Sequence, residues 1–141
     1  HELRMIMWKY CGVVKSEKSL LIGLEKVRDI KNRFEDIDVR IEEHNCEDLI
    51  LIFDLQSSLY SAEATILSAL KRKESRGAHQ RSDYPYLDES FQFNLSIELR
   101  KDSGELKVDT LPLKSLKQSL NNLLSDANTK LHINMKNKLL E

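Results

Sequence analysis

Apolar residues recur every three or four positions through Leu3, Ile6, Met7, Tyr10 and Val14, which places them on one face of a helix running to about Val14. Gly12 weakens the end of that helix, by up to about 1 kcal/mol relative to alanine. A second stripe of Leu20, Leu24, Val27, Ile30 and Phe34 follows a cap at Ser16 or Ser19, with Lys26, Arg28, Asp29 and Lys31 on the other faces. These two segments form a helical hairpin or one bent helix. Residues 35–48 turn acidic and read as a solvated connection, and Asn45 ahead of Glu47 and Asp48 marks the start of a third helix. Its stripe is Leu49, Ile52, Phe53, Leu59, Ala62, Ile66, Ala69 and Leu70, which makes it the expected central helix of a bundle, ending near Gly77 in a left-handed cap.

Beyond Tyr84-Pro85 the period changes. Phe91, Phe93, Leu95, Ile97 and Leu99 alternate with polar residues, Lys101-Asp102-Ser103-Gly104 reads as a turn, and Leu106, Val108 and Thr110 return. The pattern predicts an antiparallel β-hairpin, whose apolar face must pack on something because a free hairpin is marginal in water. Leu113, Leu116, Leu120, Leu123 and Leu124, then Leu131, Met135 and Leu139, predict a helical tail. The expected fold is mainly α: a three-helix, spectrin-repeat-like bundle over residues 1–88, an appended β-hairpin over 89–112 and a C-terminal helix within 113–141, together one structural domain.

A chain of 141 residues is long enough to bury a core without disulfides or metals. The formal charge of −1 gives no overall pull toward nucleic acid or an anionic membrane. Cys11 and Cys46 match no metal spacing and suit a reduced, intracellular setting as packing residues. The run Leu49-Ile50-Leu51-Ile52-Phe53 is far short of the roughly 20 residues that span a bilayer, so no direct membrane insertion is expected. The termini, His1-Glu2-Leu3 and Leu140-Glu141, read as those of an excised piece.

The most information-rich stretch is Lys71-Arg72-Lys73-Glu74-Ser75-Arg76-Gly77-Ala78-His79-Gln80-Arg81-Ser82-Asp83-Tyr84-Pro85. By chemistry alone it admits a solvated helix end, a phosphate or nucleic-acid patch, or an ion-pair network in which arginine forks grip carboxylates. No aromatic interleaving supports the nucleic-acid reading. Ser75 has no base in evident reach, and His79 is expected to order the loop by hydrogen bonds to Asp83 or backbone.

The string Arg72-Lys73-Glu74-Ser75-Arg76-Gly77-Ala78-His79, with Arg81, Asp83, Tyr84 and Pro85, resembles the signature near the C-terminus of succinate dehydrogenase, fumarate reductase and L-aspartate oxidase flavoproteins. Met7-Trp8-Lys9-Tyr10-Cys11-Gly12-Val13-Val14-Lys15 looks like the first helix of that family's C-terminal domain, and Asn45-Cys46-Glu47-Asp48-Leu49 like the start of its long helix. The hairpin ending at Thr110-Leu111-Pro112 is similar to the strand pair of the quinone-linked succinate and fumarate enzymes, which favours that branch over aspartate oxidase.

The resemblance implies a C-terminal helical domain separated from the part that binds FAD, with no cofactor and no catalytic residue of its own. The glycines Gly12, Gly23, Gly77 and Gly104 are too dispersed for G-x-G-x-x-G. Implied partners are the flavin-binding domain of the same parent chain and an iron–sulfur subunit, in the cytoplasm or peripheral on the cytoplasmic membrane through partner subunits. Arg72, Glu74, Ser75, Arg76, Gly77, His79, Arg81 and Asp83 are the expected domain-docking signature. The competing classes are a stand-alone helical interaction module and a small metal or hydrolytic enzyme, the latter lacking ligand spacing and any paired nucleophile and base.

Overall fold

The structure, a computed structural model, describes residues 1–39 and 46–114. The chain divides into two compact units, His1–Leu111 and Pro112–Glu141. The expected C-terminal helix lies outside the described residues, as does the cap expected at Asn45.

In chain order the elements are α1 (Glu2–Tyr10), β1 (Val14–Lys15), α2 (Glu17–Asn32), a 3-10 turn (Arg33–Asp36), α3 (Glu47–Lys71), β2 (Gln80–Arg81), a second 3-10 turn (Glu89–Phe91), β3 (Phe93–Leu99) and β4 (Leu106–Pro112). The expected three helices and hairpin are therefore all present. Both serines proposed as the cap of α2 take part in it. The Ser19 amide donates to Ser16 Oγ at 3.2 Å and the Ser16 amide donates to Ser19 Oγ at 2.9 Å, a reciprocal capping box.

Three boundaries differ from the pattern-based expectation. First, α1 stops at Tyr10 rather than Val14. The chain leaves the helix at Cys11 (φ −127°), and a Cβ on Gly12 would sit 2.9 Å from the Trp8 carbonyl oxygen, so only glycine passes this corner. Val14 and Lys15 pair in parallel with Gln80 and Arg81, a bond between distant segments that no local pattern announces, and Val14 is exposed rather than on a core face. Second, α2 rather than α3 is the helix shared by the other two, packing on both α1 and α3. Buried Gly23 permits this approach, since a Cβ there would lie 2.9 Å from Tyr10 Cβ. Third, Phe53 is exposed. Helices α2 and α3 pair Lys31 and Arg28, near the end of α2, with Glu63, so the first turns of α3 run past the end of the shorter α2 and leave Ile50, Leu51 and Phe53 facing solvent.

The core is Ile6 from α1, Leu20, Leu24, Val27 and Ile30 from α2, and Leu59, Ala62, Ile66 and Ala69 from α3. Burying one such large aliphatic side chain contributes about 1.5–3 kcal/mol. One charge sits within this helix pair. Glu63 is buried and receives Arg28 Nε at 2.8 Å and Lys31 Nζ at 3.1 Å, while Lys31 also lies 4.4 Å from the Tyr60 ring centroid. Burial pushes the Glu63 carboxyl up, but bonds from Arg28 and Lys31 outweigh it and hold the group ionised.

The connection from Arg100 to Glu105 is too short for a parallel crossover, so β3 and β4 are antiparallel. Gly104 takes φ +68° in that turn. The apolar face of the hairpin, including Phe93, Leu95 and Ile97, is half-buried.

Candidate functional site

The signature begins where α3 ends, and α3 ends earlier than Gly77. Its last residue is Lys71, and Arg72 is already extended (φ −88°, ψ 102°). Gly77 does adopt a positive φ of 56°, but in the tight turn between Arg76 and His79, whose backbones exchange hydrogen bonds at 2.8 and 3.0 Å. The carbonyls left open at the end of α3 are met by side chains instead. Arg81 Nη1 donates to Ala69 O at 2.6 Å, and His79 Nε2 donates to Arg72 O at 3.2 Å.

Arg81 is the centre of this knot and is 1% exposed. Its fork donates Nε to Asp83 Oδ1 and Nη2 to Asp83 Oδ2, each at 2.8 Å, and its guanidinium lies 5.0 Å from the Tyr84 ring centroid. Asp83 Oδ2 also accepts the Glu17 amide at 2.8 Å. The pair therefore sets a cation at the negative end of α3 and an anion at the positive end of α2, joining two helix termini through one bidentate contact. Arg81 and then the Glu17 amide hold the Asp83 carboxyl well below the usual carboxylate range, and Asp83 in turn raises the Arg81 guanidinium.

A second carboxylate is buried completely. Glu74 Oε1 receives Arg72 Nη1 and Arg76 Nε, and Oε2 receives Arg76 Nη2 at 3.0 Å and the Asp88 amide at 3.0 Å. Burial pushes its carboxyl up, and the bonds from Arg76, the Asp88 amide and Arg72 overcome that and bring it below the ordinary value. Arg72 reaches onward to Phe91 O at 3.0 Å and Phe93 O at 2.7 Å and stacks 5.2 Å from the Phe93 ring, so it ties the start of the hairpin to the end of α3. Ser75 Oγ accepts the Arg81 amide and donates to Tyr84 O, each at 2.8 Å. Every buried side-chain polar atom among the described residues has a partner.

The eight expected signature residues, neighbours in sequence, are turned different ways. Glu74, Ser75 and Arg81 are buried, Arg72 and His79 half-buried, and Arg76, Gly77 and Asp83 exposed. His79 bonds backbone rather than Asp83, and burial lowers its imidazole below the usual value. Residues outside the signature complete the knot. Lys15 is buried with Nζ donating to Val13 O at 3.0 Å, and its carbonyl accepts the Ser82 amide at 2.9 Å. A lone lysine after two valines carries no sequence signal for that role. Cys46, read as a packing residue, is exposed, whereas Cys11 packs against the core.

The arrangement is a hydrogen-bonded ion-pair network that joins the start of α2, the end of α3 and the start of the hairpin. Among the described residues no group of three or more histidine, cysteine, aspartate or glutamate side chains is placed to bind a metal ion. The positive-φ glycines among the described residues, Gly77 and Gly104, each sit in a tight turn and neither opens a helix. No described helix is long and apolar enough to cross a membrane.

Fold and site together define a helical module whose helix ends are locked by buried arginine–carboxylate pairs in the loop that leads to a hairpin. The family model for the C-terminal part of fumarate reductase flavoproteins matches residues 1–134, and the chain belongs to that family. It is 35% identical over 100 residues to an FAD-dependent oxidoreductase of Methanocaldococcus jannaschii, covering 71% of this chain and 18% of that protein. An L-aspartate oxidase of Pyrococcus horikoshii is 36% identical over 90 residues, covering 64% of this chain and 15% of its own length. Among solved structures, E. coli quinol fumarate reductase superposes with a TM-score of 0.71 at 26% identity, covering 82% of this chain and 21% of that one. The chain thus spans between 15% and 21% of these proteins. The family is one of flavoprotein oxidoreductases.

Proposed function

We propose that the chain is the C-terminal helical domain of an FAD-dependent flavoprotein that interconverts succinate and fumarate, and that it works by packing on the flavin-binding part of that polypeptide, without a cofactor or catalytic residue of its own. The observation that carries this is how the signature's charges are used. Arg81 is spent on Asp83 and a helix end, and Glu74 on Arg72 and Arg76, so the segment delivers a fixed shape rather than a reactive group. The same reading gives the domain an iron–sulfur subunit as a neighbour in the parent complex, and the cytoplasm, or the membrane surface through partner subunits, as its location.

Within the signature, Arg76 is the residue offered to a neighbour, its side chain being 42% exposed. In Arg76→Ala, Glu74 keeps Arg72 and the Asp88 amide, so the bundle stays folded while assembly of the whole flavoprotein weakens. Normal assembly with a collapsed bundle refutes this. The hairpin β3–β4 supports the succinate/fumarate branch. A second reading, the same domain of an L-aspartate oxidase, is favoured by the P. horikoshii relative. Reading the gene upstream of His1 tests the domain assignment: a flavin-binding frame continuous into Leu3 is expected, and a start codon at that point would instead mark a stand-alone interaction module.

A further inference from the structure

The three most solvent-open large apolar residues among those described, Trp8, Val13 and Val14, flank the corner between α1 and β1. Trp8 is 80% exposed and Met5, one turn earlier, 53%; Val13 and Val14, just past the corner, are 68% and 69% exposed. Between Met5 and Val14 the sequence carries a single charge, Lys9. Exposed indole is a costly arrangement for a surface that stays wet, because Trp and its like offer among the largest areas to bury of any side chains.

The corner is also held unusually firmly for so exposed a feature. The Cys11 amide donates to Met7 O at 2.9 Å, Gly12 sits against the Trp8 carbonyl, buried Lys15 folds back onto Val13 O, and Ser82 takes the Lys15 carbonyl. Lysine is seldom buried. Here its burial fixes the carbonyl beside two exposed valines. The β1–β2 ladder fastens the same corner to Arg81 and hence to the signature knot. Such bonds order a surface before any contact is made, which removes part of the entropic cost of binding. Other exposed apolar residues include Ile50, Leu51 and Phe53, which follow residues 40–45 outside the described part, and Tyr86 and Leu87 in the loop after the signature.

We propose that the Trp8-centred ridge is the face on which this domain seats against the flavin-binding part of its own polypeptide. This deepens, and rests on, the domain assignment above. The occupant follows from proportion. The matched proteins carry this domain on polypeptides of which it is 15–21%, so roughly four-fifths of the molecule stands tethered beside it. A tethered partner acts at millimolar effective concentration and needs only a small anchor, whereas a second copy must bury about 800 Å² per partner from free collision. The matching surface is an apolar socket for the indole with an acidic rim facing Lys9.

Hydroxyl-radical footprinting of the full-length flavoprotein, read by mass spectrometry, tests this. Relative to the same chain unfolded in denaturant, Trp8 and Met5 should be protected at least about tenfold, and equally at high and low protein concentration, as expected for a fully desolvated anchor. Modification of Trp8 at a rate close to that of the unfolded chain overturns the proposal, and so does protection that vanishes on dilution, which would assign the ridge to a second copy. In Trp8→Ala the fraction of undocked domain, measured by limited proteolysis, should rise about thirtyfold, as loss of an interface hot spot does. The helical unit's own protection against amide exchange should stay unchanged. A flavin-free, inactive full-length protein would strike at the domain assignment instead, while a flavin-loaded protein with labelled Trp8 strikes only at the ridge.

Discussion

Replacing Arg81 by methionine keeps the length and apolar bulk of the side chain and removes every bond at the centre of the knot. Four acceptors lose a partner: both oxygens of Asp83, the Ala69 carbonyl, and the Arg72 carbonyl, which keeps His79. Removing one member of a buried ion pair costs about 3–5 kcal/mol. Asp83 is 29% exposed and keeps the Glu17 amide, so water recovers part of that and the low end applies, about 3 kcal/mol. The orphaned Ala69 carbonyl adds about 1 kcal/mol. For a unit of this size each kcal/mol moves the melting temperature by roughly 4 °C, so Arg81→Met should lower Tm by about 15 °C in thermal unfolding followed by circular dichroism. Arg81→Lys should recover less than half of this, because an ammonium cannot span both carboxylate oxygens. A double-mutant cycle with Asp83→Asn should return a coupling of about 2 kcal/mol. A Tm within about 2 °C of the parent for Arg81→Met would show that the two helix ends are held by the core alone, and the proposed role of the knot would be wrong.

Gly23→Ala should destabilise even though alanine is the better helix former, because its Cβ would meet Tyr10 Cβ, an atom fixed to its own backbone; a net loss of about 1–2 kcal/mol by urea unfolding is expected. The acid limb follows from Asp83, Glu74 and Glu63, all with folded values below the ordinary ones: their contribution is complete above the unfolded values near pH 4 and drains away as pH falls through the folded values, so with His79 replaced the urea midpoint should be flat from about pH 7 to 5 and drop below about 4. His79 adds a separate step. Burial beside Arg72, Arg81 and Lys15 lowers its folded value, so the unfolded chain binds the extra proton first and stability declines as pH falls below about 6.5; His79→Gln should flatten that decline, and an unchanged slope would remove His79 from the account.

Several of these features could be read from the sequence, and the division follows physical range. The stripe Leu20, Leu24, Val27 and Ile30 is local, and all four residues are buried as their spacing requires. The capping box at Ser16 and Ser19 and the turn at Gly104 are likewise encoded within four residues. What spacing could not convey was contact between distant segments. Val14 looks helical until Gln80 pairs with it, Phe53 looks like core until α2 ends too soon to cover it, and Gly77 looks like a helix cap until Arg81 and His79 satisfy the carbonyls at the end of α3. The signature was visible as a cluster of arginines and acids, but which of them would be buried depended on Glu17, Lys15 and Asp88, none of which stands out by type or spacing.

The most direct test of the central claim is whether succinate reduces the flavin of the polypeptide that carries this domain. Anaerobic addition of succinate to that purified flavoprotein should bleach its flavin absorbance, with L-aspartate leaving it oxidised. Bleaching by L-aspartate with no response to succinate would move the domain to the aspartate oxidase branch, and a purified full-length protein with no flavin absorbance would contradict the assignment altogether.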